Sequence, residues 1–166
     1  MKGRLWLLGV FVLIGSFLAT FWLTATPNSP LTTLVNSRVS DDERLSDAAI
    51  SAGLWPSITL KGAVETVSRL SADQVKIAGW SADSEGGGMP ITVIVFTDGK
   101  AVLQTKTNGA RADVSASLKL ADAAALNVAF DGVLSCRPGR PLFVVAVLRE
   151  SYAKLTHQNS LLCPPL

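Results

Sequence analysis

From Ile58 onward, apolar and polar residues alternate in short runs separated by turn residues, the period of half-buried β-strands. Strands are predicted over Leu60–Leu70, Gln74–Ala82, Ile91–Thr97, Ala101–Thr107, Asn127–Ser135, Leu142–Arg149 and Tyr152–Gln158. In the second, Val75, Ile77 and Gly79 alternate with Lys76, Ala78 and Trp80. The third runs from Ile91 to Phe96 with a β-branched or aromatic residue at every position, which suits a pleated sheet. Glu85-Gly86-Gly87-Gly88 breaks the chain between them, because glycine keeps too much backbone freedom for a regular element. Asp98-Gly99 predicts a tight hairpin, since a primed turn needs positive φ at its central residues. Seven short strands at this spacing predict a mainly β fold, an antiparallel sandwich, with an open-ended barrel as the alternative.

Ahead of the strands the period changes. Leu45, Ala48, Ala49 and Ala52 fall on one helical face, and Gly53 is placed to end it. Ser40-Asp41-Asp42-Glu43 fits a capping box, so a short helix is expected over Asp41–Ala52. Thr26 to Arg38, with Pro27 and Pro30, reads as an extended tether. Arg111 to Leu126 carries both periods; its alanine content favours a helical turn near Ala112–Lys119, with Asp113 in the first turn. Leu5 to Ala25 holds no charge, and at about 1.5 Å per residue it reaches across the ~30 Å hydrocarbon core. Lys2 and Arg4 precede it, which predicts a single transmembrane helix with the N-terminus in the cytoplasm. A cleaved signal peptide is the alternative, but the run is long for one and Leu23 and Phe17 are not small. The expected organisation is an anchor over 1–25, a tether over 26–57 carrying the juxtamembrane helix 41–52, and a β domain over 58–166.

Two strands are apolar on both sides. Ile91, Val93 and Val95 point one way and Thr92, Ile94 and Phe96 the other. Leu142–Arg149 behaves the same way, with Phe143, Val145 and Val147 on the side that ends in Arg149. As neighbours in one sheet, these strands would form an outer apolar patch of Ile94, Phe96, Phe143, Val145 and Val147. A patch of that kind needs a cover. Helix 41–52 with Leu54 and Trp55 is the internal candidate, and a partner protein is the external one.

The chain has 166 residues and a net charge of +2, with no basic cluster, which argues against nucleic acid as a partner. Its single histidine, His157, lacks the companions that a triad or zinc site requires. No catalytic residue, metal or cofactor is expected. Asp83, Glu85 and Asp98 are read as turn formers rather than calcium ligands, because their spacing matches no calcium loop. Gly86-Gly87-Gly88 is no phosphate loop, since no Gly-Lys-Ser/Thr follows it. Cys136 and Cys163 are the only cysteines; in an exported domain an even count favours a disulfide. If the last three strands form a meander, both cysteines lie beyond the same sheet end.

Gly62-Ala63-Val64-Glu65, Gly79-Trp80-Ser81-Ala82-Asp83, Asp98-Gly99-Lys100 and Arg111-Ala112-Asp113-Val114 follow one another in an order that resembles a bacterial immunoglobulin-like β-sandwich module. The resemblance covers roughly Leu60 to Arg149 and implies a seven-stranded antiparallel immunoglobulin-like fold. It assigns no activity. Trp80, Asp83, Asp98, Gly99, Arg111 and Asp113 enter as structural motif positions, Trp80 in a core and Arg111 locking a crossover. The expectation is a membrane-tethered binding or scaffold module, not an enzyme, that contacts an envelope protein or glycan. It would sit on a bacterial inner membrane with its domain in the periplasm or outside the cell. An accessory subunit or enzyme of extracellular glycan processing is the alternative.

Overall fold

The computed structural model describes residues 29–85, 88–157 and 161–166. Among them, eight strands build two sheets. The strands are β1 (Trp55–Pro56), β2 (Leu60–Arg69), β3 (Gln74–Asp83), β4 (Thr92–Thr97), β5 (Lys100–Lys106), β6 (Ala129–Ser135), β7 (Phe143–Leu148) and β8 (Ser151–Lys154). The larger sheet has the order β1-β8-β7-β4-β5 and the smaller β2-β3-β6. All pairings between these strands are antiparallel except β1 with β8.

The expected seven antiparallel strands are therefore corrected to eight, with one parallel pairing. Asp98 at φ 50° and Gly99 at φ 75° form the primed turn, and Thr97 pairs with Lys100 across it. A two-residue turn leaves β5 no choice but to lie beside β4. Here the chain also adds the short parallel strand β1, where Trp55 N–H donates to Glu150 O and Ser57 N–H to Tyr152 O.

The sheets are joined at both margins. After β8, Leu155 N–H still donates to Val144 O of β7, while Val64 N–H of β2 donates to Thr156 O. After β5, Thr107 N–H donates to Ile91 O and Asn108 N–H to Ala129 O of β6. Between the sheets lies one core, built from Leu60, Val64, Val75, Ile77, Phe130 and Leu134 on one side and Ile91, Val93, Val95, Val144 and Ala146 on the other. Gly79 sits where β2 and β3 approach this core. A Cβ there would stand 2.2 Å from Ala63 O and 2.9 Å from the Phe130 ring, so only glycine fits.

A second core lies on the opposite face of the larger sheet. Helices α1 (Pro30–Asn36) and α2 (Asp42–Ser51) cover it. Leu34, Val39, Leu45, Ala48, Ala49, Ala52 and Leu54 pack on Ile94, Phe96, Val145, Val147 and Tyr152. The extended tether is thus replaced by a helix from Pro30. Ser29 caps it by accepting from Thr32 N–H, and Pro30 occupies the first turn, where its missing N–H costs nothing. Helix α2 begins one residue later than the expected capping box implies. The Asp41 carboxylate accepts from Arg44 N–H at 2.8 Å, and the Ser40 hydroxyl donates to Asp41 instead of capping. An ionised oxygen is the stronger acceptor, and these bonds hold the Asp41 carboxyl below its usual range. The β domain consequently includes the helices, not only residues 58–166.

The crossover from β5 to β6 carries α3 (Ala112–Leu118) and α4 (Asp122–Ala125). α3 lies within the expected helical turn, and it ends at Lys119 in the left-handed region. The expected membrane helix has no counterpart among the described residues. Among the described residues no helix is long and apolar enough to cross a membrane, the longest being the 10 residues of α2. At 1.5 Å per residue such a helix falls well short of a ~30 Å core. The segment 1–25 that was expected to span lies outside the described residues.

Candidate functional site

At the end of the sandwich where β3 finishes and β7 turns into β8, four connections converge around a cleft of about 330 Å³. Thr59, Asp83, Glu85, Asn127 and Arg149 supply its polar lining, and Leu120 and the buried Ile91 also border it. Ser84 N–H donates to Thr59 O and the Asn127 side-chain amide donates to Gly88 O, which fixes neighbouring connections against each other. Asp83 accepts from Glu85 N–H at 3.3 Å, a local turn that aims the chain out of β3. Arg149 stands in the two-residue turn between Leu148 and Ser151 with φ 54°. Its guanidinium reaches the Met89 sulfur at 3.8 Å. Among the described residues no carboxylate pairs with it.

Sequence reasoning passed over Arg149 and Asn127 as site residues. One signal was present. The two strands that end at Leu148 and begin at Ser151 leave room only for Arg149-Glu150, a turn with neither glycine nor asparagine.

The Arg111 motif proves to be a clamp. Glu65 is the extra residue of a β-bulge in β2, between Val64 and Thr66. The bulge turns its carboxylate toward the crossover, where Arg111 Nη1 and Nη2 donate to it at 2.6 and 2.9 Å. Arg111 Nε and Nη2 also donate to Asp113 at 2.9 and 2.7 Å. Two bidentate carboxylates on one guanidinium raise the Arg111 pKa further above its usual value. The hydrogen bonds from Arg111 also pull the Asp113 carboxyl down to about 2.

The remaining expected residues are dispersed. Trp80 packs with Val114, Leu118 and Leu120 around Ala82 and Val128. It therefore belongs to a satellite cluster beneath α3, not to the core between the sheets. Asp98 lies at the far end of β4 from Asp83 and pairs with Arg140 at 2.7 Å. Asp83, Glu85 and Asp98 thus do not gather, and no metal-binding cluster occurs among the described residues. Cys136 and Cys163 are bonded, with Cα atoms 6.2 Å apart. Gly139 N–H donates to Cys163 O and Cys163 N–H to Arg140 O, so the chain end lies along the β6–β7 connection. His157 is half-buried next to that C-terminal segment.

The expected partner face is corrected. Ile94, Phe96 and Val145 are wholly buried and Val147 nearly so, beneath the chain's own helices. Phe143 sits at the rim, with Lys154 5.7 Å above its ring and the same Lys154 paired to Asp42 of α2. Helix 41–52 and Leu54 supply the internal cover, but Trp55 is 64% exposed, and Leu34 from the unexpected helix α1 completes it.

No family model matches this chain, and no curated protein or solved structure shows significant similarity to it.

Proposed function

We propose that the chain is an exported β-sandwich that works as a binding or scaffold module for an envelope protein or a glycan, and not as the catalyst itself. The loop-end cleft around Arg149 supports this reading best. It gathers polar side chains from four separate connections onto a rigid two-sheet frame, where recognition residues are commonly found. The apolar sheet face expected to meet a partner is covered by the chain's own helices. Export is supported by the Cys136–Cys163 disulfide, since such bonds persist in oxidising compartments. A glycan-processing role is less well supported. Asp83 and Glu85 leave the same strand end, whereas a hydrolytic carboxylate pair must flank the scissile bond.

Photo-crosslinking in the native envelope tests the reading. A photoreactive residue at Thr59 or Met89 should yield a discrete adduct, while one at Ser68, exposed on β2, should not. Equal labelling at all three positions, or none at any, would refute a binding role for the cleft.

A further inference from the structure

Resting on that reading, we infer that the cleft binds a neutral saccharide and that Arg149 is its principal hydrogen-bond donor. Arg149 is the first central residue of a two-residue hairpin turn and has φ 54°. Glycine occupies such a position without strain, and an L-residue does not. The chain nevertheless places its longest donor-bearing side chain there, at the mouth of a cleft. That side chain presents five N–H donors, and the sulfur it touches is a weak acceptor. The other wall presents acceptors. Asp83 uses an oxygen on Glu85 N–H and keeps further lone pairs, and Asn127 spends its amide N–H on Gly88 O, which leaves its carbonyl oxygen.

A ligand that satisfies both walls must accept from one and donate to the other. Charge narrows the choice. An anionic ligand attracted to Arg149 would meet Asp83 and Glu85, and a cationic one attracted to the carboxylates would meet Arg149. A hydroxyl both donates and accepts, so vicinal hydroxyls on a neutral ring meet both walls without a charge penalty. The half-buried Leu120 offers an apolar contact for the C–H face of such a ring. The cleft lies at the small end of the roughly 300–1,000 Å³ typical of ligand sites, the scale of a short saccharide rather than a long one. Trp55, 64% exposed on β1 beside this turn, offers an indole for a flanking ring.

The experiment uses the full-length protein on immobilised oligosaccharides. The probes are neutral gluco-, galacto- and manno-oligomers and N-acetylglucosamine oligomers, with uronate and deacetylated amino-sugar oligomers beside them. At least one neutral series should be retained. Arg149→Gly should weaken that retention at least tenfold without lowering the melting temperature, because glycine suits the turn. Asp83→Asn should weaken it as well. Retention of only the acidic or only the basic oligomers would overturn the inference, as would an Arg149→Gly variant that binds like the parent. If no oligosaccharide is retained while Thr59 still crosslinks to an envelope protein, the ligand class is wrong and the binding role stands. If both fail, both readings fall.

Discussion

Replacing Leu45 by alanine distinguishes a structural cover from a loosely attached helix. Leu45 lies on α2 and is 3% exposed, packed in the cluster that includes Phe96 and Val145. On a solvent-exposed helix, leucine to alanine changes stability by only a few tenths of a kcal/mol, and in the favourable direction. In a closed core it removes the transfer free energy of the side chain and leaves a cavity, a loss of roughly 2–5 kcal/mol. Phe96→Ala, from the other side of the same cluster, should cost roughly 3–5 kcal/mol. With a urea slope of about 2 kcal/mol/M, a loss of this size moves the Leu45→Ala midpoint down by about 1–2.5 M at unchanged slope. Tryptophan fluorescence reports the transition. The double variant should lose less than the sum, because both side chains line one cluster. A Leu45→Ala protein with the parent's midpoint would show that α2 does not cover the sheet.

Two other outcomes are expected. Cys136→Ser with Cys163→Ser should lower stability by roughly 3–4 kcal/mol, the chain-entropy value for a cross-link spanning 27 residues, and urea titration measures it. An unchanged midpoint would show that the C-terminal segment is held by other contacts. The hydrogen bonds from Arg111 hold the Asp113 carboxyl at about 2, below the usual aspartate range. Its folded pKa is depressed, so its contribution is complete above about pH 4 and is lost as pH falls through 2. The stability gap between the parent and Asp113→Asn should therefore close between pH 4 and pH 2, and a gap constant with pH would contradict the pairing with Arg111.

The strands were legible because their β-branched runs end at turn residues whose geometry is local. Asp98-Gly99 is the clearest case, because a two-residue turn fixes the adjacency of β4 and β5. Helix α1 was hidden by its own start signal, since Ser29-Pro30 suits both an extended tether and a capped first turn. Local pattern did not reveal the cleft. Thr59, Asp83, Asn127 and Arg149 belong to four connections that only the sheet order brings together.

The motif residues and the cleft are linked through the β5–β6 crossover. Arg111 ties the start of that crossover to the Glu65 bulge, and Val114 and Leu118 of α3 then press on Trp80 and Ala82. Ala82 and Leu120 line the cleft, and Asn127 closes the same crossover. Loosening the clamp would therefore shift one wall of the cleft relative to Arg149, which sits on the other sheet. The Arg111 motif thus supports the candidate cleft without lining it. The residue proposed to choose the ligand is an arginine held where glycine would fit more easily.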